Sequence, residues 1–284
     1  MLKNQAWIRK AIDFFLYSSL YISLCGVLMT WQTIHLLQLS ISNDYYWFVF
    51  FATICSYNFH WYLTSPAQHL TDRIRWSLQH KALHGLLYFA GVIGSVIFFY
   101  KLRHHWFALL FATLLTFLYS APKIPLPYFR FLKQVAIGKT IFLSAVWTYV
   151  TAILPVFIAG LHFNHEMKWF AASRFFLIYG ICILFDYRDR AEDKEEGIRT
   201  MVNYFDEAGV NRLFHFSVIA FVIFTIGLLF SSVSAFTIMI LLIPGIILFA
   251  LYKKAKMTDS DYFYYFVLDG LMMLSALLMA ILSI

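Results

Sequence analysis

Nine stretches of about 20 mostly apolar residues, separated by short polar segments, run the length of this chain. A helix of about 20 residues crosses the hydrocarbon core of a bilayer, and lipid forces each segment to satisfy its own backbone N–H and C=O groups. The reading is therefore an all-α, polytopic membrane bundle of about nine transmembrane helices. Its spans fall near 12–39, 45–63, 82–101, 105–121, 134–160, 167–186, 212–231, 234–252 and 263–284. Charged residues make up 13% of the chain and hydrophobic ones 61%, against about a quarter charged in soluble domains. The first and fifth stretches are long enough to tilt. No Pro-, Gly- or Ser-rich tract divides the chain, so a single domain over 1–284 is expected.

Loop charges set the orientation. Lys and Arg collect at the N-terminus and in 64–81, 122–133, 187–211 and 253–261, while 40–44, 161–166 and 232–233 are nearly free of them. Only Lys101 and Arg103 break the pattern. Positive loops stay inside, which predicts a cytoplasmic N-terminus, cytoplasmic charged loops and an external C-terminus. The net charge of +7 thus speaks for topology and not for nucleic-acid binding. Lys3, Arg9 and Lys10 precede the first apolar run, but that run extends too far for a signal-peptide core, so a first span is expected. Cys25, Cys55 and Cys182 lie inside apolar runs with no CxxC pair, which predicts neither a disulfide set nor a metal site.

Spans one to four and five to eight share one layout, in which a longer charged loop follows the second span of each set. This predicts two four-helix repeats plus one helix, with the working site where the repeats meet. The stretch from Ser56 to Tyr62 should then face Asp186–Asp193 across a shared cavity.

That second stretch is the one place where acids and bases crowd together in so apolar a chain. On a continuous helix Asp186, Asp189 and Asp193 fall within roughly 60° of one another. Three carboxylates on one stripe repel unless a cation lies between them. Magnesium takes oxygen ligands and is commonly held by one or two carboxylates plus substrate phosphates. Arg188, Arg190, Lys194 and Arg199 are interleaved and suited to phosphate oxygens. The same pattern also suits a solvated juxtamembrane helix held by i,i+4 pairs. Of the remaining polar residues near the spans, Lys139 either lines a cavity or snorkels, and Asp269 is either partnered or cavity-lining. Arg174 is expected to snorkel, and His60 and His215 to be packing residues, with His60 a possible cavity neighbour.

Two stretches carry a family resemblance. The run Asp186-x-x-Asp189-x-x-x-Asp193-Lys194-x-x-Gly197-x-Arg199-Thr200 resembles the second aspartate motif of the UbiA superfamily of intramembrane prenyltransferases. Leu118-Tyr119-Ser120-Ala121-Pro122-Lys123, followed by Lys133 and Gly138, is similar to the segment leading into that family's fifth helix. The resemblance implies transfer of an isoprenyl group from its diphosphate to a lipophilic, aromatic acceptor, with Mg2+ as cofactor. It implies Asp186, Asp189 and Asp193 as catalytic metal ligands. Lys123, Lys133, Lys139, Arg190, Lys194 and Arg199 become diphosphate contacts, with Asn58 a residual partner. The family's first motif carries aspartates at helical spacing, whereas this chain reads Asn58-Phe59-His60-Trp61-Tyr62-Leu63 there. The next acid is Asp72, which would have to swing in from its loop. Two readings stand: a prenyltransferase, or a non-catalytic isoprenoid-lipid-binding or membrane-complex subunit that keeps the fold. A transporter fits less well, since no span shows paired Gly/Pro breaks.

Overall fold

The structure is a computed structural model that describes residues 2–64, 71–121, 139–195 and 200–283. Its elements are helical throughout these residues. In order they are α1 (Leu2–Tyr17), α2 (Leu20–Leu36), α3 (Asp44–Tyr62), α4 (Asp72–Gln79), α5 (Lys81–Lys101) and α6 (Trp106–Ser120). The second half continues with α7 (Lys139–Ile158), α8 (His165–Arg188), α9 (Arg190–Glu195), α10 (Met201–Tyr204), α11 (Glu207–Ile226), α12 (Ala235–Ala255) and α13 (Phe263–Leu282). Six of them, α5, α7, α8, α11 (with its extension to Phe230), α12 and α13, are long and apolar enough to cross a membrane. A seventh span results if the bent pair α1–α2 counts as one.

The expected nine is not reached by length and composition. Each expected stretch does hold a helix, but α3 carries Asp44, Asn58 and His60 among its apolar residues. Helix α6 is described over 15 residues, about 22 Å at 1.5 Å per residue, short of the bilayer core of about 30 Å. The first expected span is broken. Helix α1 turns 57° away from α2, and Ser19 between them has φ 70°. A non-glycine residue in the left-handed region takes the chain out of its helix at that point.

The two halves are built alike. In each, the second and third spans pair closely, α3 with α5 and α8 with α11. Short helices, α4 in one half and α9–α10 in the other, follow the second span. Glycine makes the first pairing possible. A Cβ on Gly91 would lie 2.6 Å from the Cys55 backbone nitrogen, and one on Gly94 would lie 2.3 Å from the Phe51 ring. Small residues let backbones approach where lipid supplies no hydrophobic drive.

Helix α8 is the most enclosed span and α5 the least. Around α8, Ile178, Ile181 and Leu184 pack with Tyr17, Phe214, Tyr264 and Leu268 from α1, α11 and α13. Arg174 corrects the snorkelling expectation. Its side chain is buried, with Nη1 donating to Met29 O, Thr33 Oγ1 and Thr151 O at 2.7, 2.8 and 3.0 Å, and Nη2 to Gln32 Oε1 at 2.7 Å. Thr151 sits in a π-helical turn of α7, Tyr149–Ile153. The guanidinium therefore satisfies backbone that such a turn displaces from regular pairing.

Candidate functional site

The acidic stretch does not form one helix. Helix α8 ends at Arg188, Asp189 occupies the C-cap with φ −82° and ψ 2°, and Asp193 belongs to the separate short helix α9. The Asp193 N–H still donates to Asp189 O at 2.9 Å, an i,i+4 bond that links the two helices. Asp186 and Asp193 are both buried, 5% and 6% exposed. They come together on α7. Thr140 donates its hydroxyl to Asp186 Oδ2, and Lys139 Nζ stands 3.9 Å from Asp193 Oδ1 with Asp186 also within electrostatic reach. An ammonium thus answers the repulsion between the two carboxylates. Asp189 accepts from Arg188 Nε at 2.7 Å and lies within electrostatic reach of Lys139 and Asp186.

From there a chain of contacts runs along this end of the bundle. Arg188 Nη2 donates to the Tyr265 hydroxyl at 3.0 Å. The Arg73 guanidinium carbon lies 4.1 Å from the centre of the Tyr265 ring and 4.2 Å from that of Trp61. His60, next to Trp61, stacks on Tyr119 at 5.5 Å and 18°. Tyr119 lies within electrostatic reach of Lys139 and Asp186. Residues of α3, α4, α6, α7, α8 and α13 therefore meet here, and both halves contribute. Tyr57 packs against Trp147 at 6.1 Å. Asp269 lies within electrostatic reach of Tyr57 and Cys182, and of Arg73 and Arg188, while Cys182 is also within reach of Asp186. Asp269 is thus an interior acid on α13 facing the arginines.

The other expected residues have diverse fates. Asn58 is 0% exposed and fully engaged: Nδ2 donates to Ser18 O and Ile54 O at 3.1 and 2.9 Å, and Oδ1 sits 2.7 Å from His84 Nδ1. It ties α3 to the α1–α2 turn and to α5. Asp72 points outward between Arg9 and Arg75, at 3.6 and 3.5 Å. Arg190 reaches Phe205 O and Glu207, away from the carboxylates, and Lys194 is exposed. Lys123, Lys133 and Arg199 lie outside the described residues.

Trp61 belongs to the Ser56–Tyr62 stretch expected at the site, whereas Thr140, Arg73, Tyr265 and Asp261 carry no signal in the sequence that would place them there. Asp261 Oδ2 accepts the Arg73 backbone N–H at 2.7 Å, and its Oδ1 lies 3.7 Å from Arg188 Nη1. Burial raises its pKa above the ordinary carboxylate value, with Arg73 and Arg188 opposing. Burial lowers that of Arg73. Neither residue has a spacing signal; their meaning is tertiary.

No three His, Cys, Asp or Glu side chains among the described residues are grouped to hold one metal ion. The donor chemistry does suit a hard cation shared by two carboxylates, with phosphate oxygens completing the shell. Asp186 and Asp193 already share a cation in Lys139.

The sequence pattern of the UbiA prenyltransferase family matches residues 77–276. It takes in the acidic stretch and the segment at Leu118–Lys123, and begins after the Asn58–Leu63 stretch where the acids are missing. No curated protein and no solved structure gives a significant match. On a match that spans well over half of its length, this multi-pass integral membrane chain belongs to the UbiA prenyltransferase family.

Proposed function

We propose that the protein is a magnesium-dependent prenyltransferase that moves an isoprenyl group from its diphosphate to a lipophilic, aromatic acceptor. One observation carries the reading: two buried carboxylates, Asp186 and Asp193, gathered on Lys139 at the charged end of an apolar bundle. Asp186 and Asp193 would hold Mg2+, with Asp189 beside them; bound there, the ion supplies Lewis-acid stabilisation of charge on the departing pyrophosphate. Lys139 binds the same oxygens directly, aided by Lys123, Lys133, Lys194 and Arg199, while Arg190 is engaged by Phe205 O and Glu207. The bond between prenyl C1 and the diphosphate oxygen breaks with its electron pair leaving on the pyrophosphate. The acceptor ring bonds to C1 and gives up its ring proton to that pyrophosphate. The faces of Tyr57 and Trp147 shield the allylic cation between these events. The charged loops and N-terminus lie in the cytoplasm and the C-terminus outside.

Asn58 supports a second reading. With all its polar atoms used inside the fold and no acids beside it, the first half offers no carboxylate to a second ion. A non-catalytic isoprenoid-lipid-binding or membrane-complex subunit would need none. The two are separated by incubating purified protein with labelled prenyl diphosphates and an aromatic acceptor, in Mg2+ or in EDTA. Prenylated product in Mg2+ alone, abolished by Asp189→Ala in a protein that still folds, supports the enzyme. Metal-independent binding without turnover supports the subunit.

A further inference from the structure

The acids inside this end of the bundle are answered unequally. Asp186 accepts from Thr140, Asp193 stands by Lys139, and Asp261 accepts the Arg73 backbone N–H. Asp269 on α13 forms no hydrogen bond or ion pair among the described residues; Arg73 and Arg188 balance its charge only from a distance. Nor is it packed shut. Leu268, Leu271 and Met272 beside it are 0, 3 and 5% exposed, whereas Asp269 is half-buried. Its open surface faces inward, because Tyr21 and Cys25 of α2, Tyr57 of α3 and Cys182 of α8 all lie within electrostatic reach of the carboxylate. The lipid side of α13 is marked instead by Phe266, 52% exposed. An acid inside a membrane bundle with room beside it and no donor is costly, unless something else supplies the hydrogen bond.

The backbone aims this side chain. A π-helical turn, Phe263–Leu268, ends immediately before Asp269. Such a turn takes in one residue more than an α-turn and so rotates the side chain that follows it. The Tyr21 hydroxyl donates to Phe266 O at 2.8 Å, satisfying a carbonyl of that turn, and a Cβ on Gly270 would collide with the same hydroxyl. The helix is thus pressed against α2 on both sides of the acid. Tyr57 packs on Trp147, and Cys182 lies within reach of Asp186, so Asp269 borders the place where the prenyl cation would meet its acceptor. We propose that Asp269 binds the acceptor: its carboxylate takes a hydrogen bond from a hydroxyl on the aromatic ring and so fixes which ring carbon faces prenyl C1. A hydroxyl engaged in this way sends electron density to the carbons ortho and para to it, which directs the new bond there. No covalent bond changes at Asp269 itself. The inference rests on the prenyl-transfer reading above and gives the acceptor a polar contact that reading lacks.

The test is binding of 1-naphthol and of its methyl ether to the full-length protein in lipid nanodiscs, with empty nanodiscs as the blank. The two probes differ in the one hydrogen that Asp269 would accept. Wild type should bind the naphthol about tenfold or more tightly than the ether, as one hydrogen bond to a charged group allows. Asp269→Leu should bring that ratio to about one, as expected when the only acceptor is removed. Asp269→Asn, whose amide oxygen still accepts, should fall in between. An acid that only balances Arg73 and Arg188 gives a different pattern, in which both variants melt at lower temperature and keep the wild-type ratio. That result overturns the proposal, as does wild-type protein that binds the two probes equally or binds neither. If Asp269→Leu fails to fold, an unchanged ratio in Asp269→Asn overturns it equally. Failure of prenyl transfer by wild type, with the Asp269-dependent ratio intact, would remove the enzymatic reading and leave this site standing.

Discussion

The Lys139 ammonium stands 3.9 Å from the Asp193 carboxylate, at the point where the first residue of α7 meets the turn beyond α8. This pairing joins the fold to the chemistry. In the bundle it balances two buried acids. In the proposed reaction the same cation and the same acids divide the work of holding a diphosphate.

Removing that cation should expose the conflict between Asp186 and Asp193. Lys139→Met is expected to destabilise the protein by about 3 kcal/mol, the low end for breaking a buried pair, because the lysine is partly exposed. Added Mg2+ should recover much of the loss by taking the place of the ammonium. Thermal unfolding in detergent, with Mg2+ and with EDTA, reads both effects.

The α3–α5 contact depends on glycine. Gly91→Ala puts a methyl 2.6 Å from the Cys55 backbone nitrogen, and backbone cannot step aside as a side chain can. A loss of about 1–3 kcal/mol is expected. Gly85→Ala, whose new methyl would meet only Tyr62 at 3.8 Å, should leave the melting temperature nearly unchanged.

Arg174→Met should be among the most damaging changes outside the site. It strips a donor from Met29 O and Gln32 Oε1 at once, with an expected cost of about 2–4 kcal/mol. Its effect should appear in unfolding and not in pyrophosphate affinity.

Asp261 gives a pH dependence of definite sign. Burial raises its folded-state pKa, so the folded protein holds a proton that the unfolded chain releases. Its contribution to stability is therefore greatest at low pH and falls as pH rises from about 4, the unfolded value, through the raised value. Melting temperature measured against pH should show this decline, and Asp261→Asn should flatten it.

Much of the architecture was legible because lipid imposes a simple rule on sequence. The runs ending near Leu63, Lys101 and Asp186 were read to within a few residues from hydropathy alone. The break at Ser18–Ser19 was not, since neither glycine nor proline marks it and only the φ of Ser19 reveals it. The three acids share one stripe only on a continuous helix, but α8 stops at Arg188. Two of its members converge because α7, nearly fifty residues upstream in sequence, brings Lys139 and Thr140 to them. The inward course of Arg174 is hidden in the sequence for a related reason. A helix that is apolar all round has no visible inner face, and its partners Met29 and Gln32 lie more than 140 residues away. In the sequence Arg73 adds only to the charge of its loop, whereas its neighbours Trp61 and Tyr265 are brought to it by the tertiary fold.

In the proposed function Asp186 and Asp193 hold the metal that serves the diphosphate. The direct measurement is Mg2+-dependent transfer of a labelled prenyl group to an aromatic acceptor by purified wild-type protein and by Asp186→Asn. Turnover by wild type should disappear in EDTA and fall at least about a hundredfold in the folded variant. Equal turnover by the two proteins, or turnover that persists in EDTA, would contradict it.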